Sequence, residues 1–276
     1  MVPTIFNAVK RVLVGRPFRN DSLAHTLLPK RIALPVFASD ALSSVAYAPD
    51  EILLTLALAG VSAVAFSPWV GLAVMVVLLT VVASYRQNVH AYPSGGGDYE
   101  IANENLGKYA GLTVASALLV DYVLTVAVSM SSAATYLTTA VPALHGQQAG
   151  IAAIGVIVLA LVNLRGVKEA GSVFAVPTYI FMASILGMTA VGVFQAVTGQ
   201  LGEAPSAAFT IVPAEGFDEG LVGLAGAFLL LRAFSSGAAA LTGIEAISNG
   251  VPNFKKPKSK NAATTLLMLG VIAASM

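Results

Sequence analysis

Apolar stretches recur along this chain at roughly 32–59, 68–85, 109–140, 149–164, 172–197 and 221–248, and a seventh runs from about 262 to Met276. A helix needs about 20 apolar residues to cross the hydrocarbon core of a bilayer. A chain with this many such stretches and only 11% charged residues must bury them in lipid and against one another, since soluble domains average about 25% charged. Lipid cannot satisfy a free N–H or C=O, so each crossing segment must be helical. The class is therefore an all-α integral membrane protein, with six transmembrane helices and the start of a seventh. Mean hydropathy of +0.81 excludes a soluble core.

The basic residues set an orientation. Lys10, Arg11, Arg16, Arg19, Lys30 and Arg31 precede the first segment, Arg86 and Lys108 follow the second, Arg165 and Lys168 the fourth, and Lys255, Lys256, Lys258 and Lys260 the sixth. The intervening loops at 60–67, 141–148 and 198–220 hold no Lys or Arg, and the last carries Glu203, Glu215, Asp218 and Glu219. Fourteen of the 15 basic residues thus fall on one side, which puts the N-terminus in the cytoplasm and spans the membrane six times. Residues 1–31 read as a cytoplasmic basic tail, in which Ile5, Phe6, Val9, Val12 and Leu13 have the spacing of a short interfacial helix. Residues 198–220 read as an extracellular loop. The seventh segment stops after about 15 apolar residues, short of a span, so the chain is expected to be the front part of a larger transporter.

Two segments carry polar residues where lipid would satisfy none. In the first, Ser39, Asp40, Ser43, Ser44 and Tyr47 precede Pro49. In the sixth, Arg232, Ser235, Ser236, Gly237, Thr242, Gly243 and Glu245 interrupt an apolar run. Irregular polar backbone at membrane depth survives only where it lines an enclosed cavity, and an intramembrane carboxylate marks a functional site. Two interrupted helices five spans apart predict an inverted five-plus-five repeat with its binding site at the breaks. The first repeat then covers 32–197, and 221–276 begins the second. The third segment supplies another wall. With Asp121 at zero on an ideal helix, Ser132, Thr125, Ser129 and Tyr122 fall within an arc of about 100°.

Carboxylates and hydroxyls are hard oxygen donors suited to a small cation. An amino-acid carboxylate would want exposed backbone amides bordered by glycine, yet the first segment has no glycine between Leu34 and Leu58. Asp40 would also repel an anionic group. Asp50 and Glu51 read as structural carboxylates near the outer mouth, with Arg232 a possible partner. Other classes find little support. A net charge of +1 suggests no nucleic acid, and no cysteine is present. His25, His90 and His145 form no metal spacing, and Gly95-Gly96-Gly97 lacks the Lys-Ser/Thr of a phosphate loop. Neither an enzyme nor a cofactor is expected.

The stretch from Phe37 to Leu53, with its Phe-Ala-Ser-Asp-Ala-Leu-Ser-Ser-Val-Ala-Tyr-Ala-Pro-Asp-Glu core, resembles the first-helix signature of potassium transporters of the KimA type, in the KUP branch of the amino acid–polyamine–organocation superfamily. Tyr92 to Gly107 is similar to the superfamily's glycine-rich approach to the third helix, and Phe234 to Phe254 to its sixth helix. The resemblance implies a LeuT-like inverted-repeat fold and potassium uptake coupled to protons. By motif position it puts Asp40, Tyr47, Asp121, Tyr122, Thr125, Ser129 and Thr242 at the potassium site and gives Glu245 a role in proton coupling. Members of the family also carry a tenth-helix contribution and a soluble C-terminal domain that supports dimerisation, so a homodimer is expected of a full-length form only. The alternatives are an amino-acid or polyamine permease of the same superfamily and a non-transporting fragment.

The orientation is testable because the chain has no cysteine of its own. In intact cells, a membrane-impermeant maleimide is expected to label Gln200→Cys and to leave Lys256→Cys unlabelled until the cells are opened. The reverse pattern would invert the topology.

Overall fold

The computed structural model describes residues 27–276 apart from Arg165, Gly166, Ala204, Phe209, Asp218 and Glu219. The interfacial helix expected within residues 4–14, the tail charges before Lys30, and Arg165, Asp218 and Glu219 lie outside the described residues. The helices are α1 (Lys30–Ala57), α2 (Ser67–Ala91, preceded by the single turn Val61–Val64), α3 (Gly97–Leu106), α4 (Lys108–Ala140), α5 (Gln148–Asn163), α6 (Val167–Val197), α7 (Gly223–Gly237), α8 (Glu245–Asn249) and α9 (Lys258–Ser275). Among the described residues, five stretches are long and apolar enough to cross a membrane: α1, Val61–Ala91, α4, Val173–Val197 and Gly223–Asn249.

The fourth expected segment is present as α5 and is the shortest of the six. α5 has 16 residues, about 24 Å at 1.5 Å per residue against a hydrocarbon core of about 30 Å. Val141, the 3₁₀ turn Pro142–Leu144 and Gly146 at φ 81° occupy the residues before it. Between the second and third apolar stretches lies a further helix, α3. α3 begins behind Gly96, whose φ of 89° is left-handed, and carries Asp98 and Glu100 in its first turn, where the helix dipole favours anions.

The first segment is not broken. α1 runs unbroken for 28 residues with Pro35 and Pro49 inside it. A helical proline removes the donor to the carbonyl four residues earlier. For Pro35 that carbonyl belongs to Arg31, and the Tyr179 hydroxyl of α6 donates to it at 2.8 Å. The hydroxyls that suggested unwinding act locally or outward. Ser43 donates to the Asp40 carbonyl at 2.8 Å, and Ser44 reaches the sixth segment. α1 is the centre of the bundle. Leu34, Ala38, Ala41, Leu42, Ala48 and Ile52 form a buried helical stripe, and α1 packs against α2, α6, α7, the 3₁₀ turn Ala238–Leu241 and α9.

The sixth segment is broken as expected. α7 ends at Gly237, a 3₁₀ turn spans Ala238–Leu241, Thr242 is extended (φ −67°, ψ 148°), Gly243 has φ 80°, and α8 restarts at Glu245. The exit is pinned to the start of α1. Leu28 N–H donates to Asn253 O at 2.8 Å and Lys255 N–H to Leu28 O at 3.1 Å, a parallel bridge between Leu28 and Phe254. Phe254 is fully buried and stacks on Phe37 with ring centroids 5.6 Å apart. At the other end of α1, Ala214 N–H donates to Leu58 O at 2.8 Å, so the 198–222 loop folds over that end. Large apolar side chains such as Leu119, Val123 and Leu124 of α4 lie exposed. On helices of membrane length they are the lipid-facing surface of a multi-pass membrane protein.

Phe254→Ala is expected to destabilise the bundle by about 3–5 kcal/mol, the usual cost of emptying a buried aromatic site. The melting temperature of the detergent-solubilised protein should fall by several degrees, with Phe254→Leu in between. An unchanged melting curve for the alanine variant would show that this contact does not hold the two segments together.

Candidate functional site

The break in the sixth segment faces the middle of α1. Asp40, Ser44 and Tyr47 follow one another at intervals of four and three residues, so they share a helix face. Ser44 is fully buried. Its hydroxyl lies 2.8 Å from the Tyr47 hydroxyl and 3.0 Å from that of Thr242. Thr242 Oγ1 in turn donates to the Ala239 carbonyl at 2.9 Å. Gly243 is pressed onto Asp40: a Cβ there would sit 2.7 Å from Asp40 Oδ2 and 2.9 Å from the Ala41 nitrogen, and φ is already left-handed. Only glycine allows this approach.

Two carboxylate oxygens at this junction are buried without a hydrogen-bond partner, Asp40 Oδ1 and Glu245 Oε1. A buried anionic oxygen without compensation is strongly unfavourable, so these atoms call for a cation or a proton between them. Asp121 of α4 lies within Coulombic range of both. Among the described residues, no three His, Cys, Asp or Glu side chains converge closely enough to cage a metal ion.

Asp40, Tyr47 and Thr242 meet at this junction through Ser44 and Gly243, and Glu245 follows Thr242 by three residues. Ser44, which joins them, was read only as one of several polar residues. Its signal was its position one turn after Asp40 and one before Tyr47. On α4, Asp121, Thr125, Ser129 and Ser132 are all half-buried between lipid-exposed neighbours, so the expected polar arc faces inward. Tyr122 departs from that arc. It is 40% exposed, and its hydroxyl accepts from Asn249 Nδ2 at 2.8 Å.

The glycine-rich stretch explains that contact. Gly95 packs against the Pro252 ring and Gly97 against the Asn249 side chain, both so closely that a Cβ would collide. Tyr85 of α2 donates to Asp98 at 2.6 Å and ties α3 to α2. The glycines therefore let α3 seat against the exit of the sixth segment.

A cavity of about 320 Å³ opens between α1 and α4, lined by Tyr47, Asp50, Glu51, Ser132 and Tyr136 among others. Tyr47 belongs both to this cavity and to the hydroxyl cluster. Asp50 accepts from the Tyr136 hydroxyl at 3.4 Å, so the partner found for it is on α4 rather than Arg232.

The family profile described as amino acid permease matches residues 36–276. The chain is similar to the potassium transporter KimA of Bacillus subtilis (strain 168), with 43% identity over 270 residues that cover 98% of this chain and 43% of that protein. It is also similar to the low-affinity putrescine importer PlaP of Escherichia coli (strain K12), with 27% identity over 124 residues, 44% of this chain and 27% of that protein. The chain thus spans less than half the length of the curated relatives it matches.

Gly243→Ala is expected to force Asp40 and the sixth segment apart and to lower the melting temperature, since a side chain at a left-handed φ costs about 1–2 kcal/mol before any collision. Gly150→Ala is the control, because a Cβ there meets open space. Equal melting temperatures for the two variants would show that the close approach is dispensable.

Proposed function

Because the chain belongs to the amino acid permease family, we propose that it carries the cation-binding site of a potassium importer. The observation that carries this reading is the pair of buried, unpartnered oxygens of Asp40 and Glu245, with the linked hydroxyls of Ser44, Tyr47 and Thr242 on the same two segments. Asp40, Tyr47 and Thr242 hold the dehydrated ion, with Asp121, Thr125 and Ser129 facing it from α4 and Tyr122 joining when its bond to Asn249 opens. A nearby cation favours the charged form of a carboxylate, whereas burial alone favours the neutral form. Loss of the ion from this site is thus matched by uptake of a proton, and Glu245 is the group assigned that exchange. The architecture is the first five-helix repeat and the start of a second, inverted one, with the N-terminus in the cytoplasm. The similarity to a potassium transporter over nearly the whole chain supports the choice of ion.

A second reading, a polyamine or amino-acid permease, is favoured by the partial likeness to a putrescine importer. The two separate in one experiment, using cells that lack their own potassium importers and express the complete gene. Growth at low potassium is expected with the wild-type protein. Asp40→Asn should abolish it while still inserting in the membrane, because losing one partner of a buried charge pair weakens binding at least about a hundredfold. Uptake of putrescine or an amino acid without potassium dependence would replace the potassium reading.

A further inference from the structure

The hydroxyl cluster has a fixed direction. A hydroxyl carries one proton, and a carbonyl can only accept. Thr242 Oγ1 lies 2.9 Å from the Ala239 carbonyl, so its proton is committed there. The contact of 3.0 Å between Ser44 and Thr242 must then use the Ser44 proton. That leaves Ser44 only as an acceptor towards Tyr47, 2.8 Å away, so the Tyr47 proton points at Ser44. The chain of bonds runs Tyr47 to Ser44 to Thr242 to the Ala239 carbonyl. Ser44 is fully buried, so bulk water does not reach the middle of this chain of bonds.

We infer that Ser44 is a positioning residue that orders the Tyr47 and Thr242 hydroxyls so that only oxygen lone pairs face the Asp40–Glu245 junction, which makes the site selective for a bare cation and unreceptive to ligands that need a donor. The inference rests on the cation reading above and deepens it. With both hydroxyl protons turned into the protein, a carboxylate ligand finds no donor in Tyr47 or Thr242, whereas a dehydrated monovalent cation meets their lone pairs in place of its water. Ser44 touches no substrate in this arrangement and acts through Tyr47 and Thr242.

The test uses Rb⁺ uptake as the probe, in cells without potassium importers that express the complete gene. Ser44→Ala is expected to raise KM about tenfold, the upper end of one net hydrogen bond, with the maximal rate within about twofold of wild type. Ser44→Cys fills the same space with a feeble hydrogen-bonding group and should show the same KM. Tyr47→Phe removes the first proton of the chain, so adding Ser44→Ala to it should raise KM by no more than about threefold further, because residues acting through one another are not additive. Wild-type KM in the alanine and cysteine variants, or a double variant whose loss is the full product of the single ones, overturns the role of Ser44 alone. A wild-type protein that takes up no Rb⁺ overturns the cation reading and this inference together.

Discussion

Burial of two carboxylates at one helix junction is the constraint around which this bundle is arranged. Asp40 and Glu245 each keep an oxygen out of water with no hydrogen-bond partner. Removing a charge from water costs several kcal/mol unless a partner compensates. A buried carboxylate avoids that cost by meeting a cation or by staying protonated. The surroundings are consistent with such a site. Gly243 brings the backbone of the sixth segment against Asp40. The extended Thr242 turns its hydroxyl towards α1, and a continuous α1 holds Asp40, Ser44 and Tyr47 on one face.

The two polar segments divide the work between them. α1 stays helical through the site and presents side chains from a fixed frame, buried on most sides by α2, α6, α7 and α9. The sixth segment gives up its helix at Ala238–Ile244 and contributes the irregular backbone. α4 is attached differently. It packs chiefly on α3 and α5 and meets the rest of the site through polar contacts such as Tyr136 to Asp50 and Asn249 to Tyr122. Hydrogen bonds of this kind contribute about 1 kcal/mol each and exchange readily with water. The join between α1 and the sixth segment is a dry one, built on buried Ser44, Ile244 and Ile247.

Much of this was legible beforehand because hydropathy and period survive folding. All seven apolar stretches begin within about five residues of their helices, and the polar arc of Asp121, Thr125, Ser129 and Ser132 faces inward as a 3.6-residue period requires. Asp40 stood out because a carboxylate has no place in lipid. The break expected in α1 failed for one reason. Serines and a proline inside an apolar run look the same whether the helix unwinds or a neighbour meets their needs. In α1 the neighbour does so, through Tyr179 and Thr242.

The sequence by itself determined the class of the protein, its lipid-facing segments and the positions where charge enters the membrane, since these follow from transfer free energies and local periodicity. Tertiary structure alone decided that only the sixth segment breaks and that Ser44 joins Tyr47 to Thr242 across 198 residues of chain. It alone also decided that the glycines at 95–97 exist to seat α3 on Pro252 and Asn249. Each of those depends on which distant group arrives to satisfy a donor or fill a gap, and no local pattern carries that information.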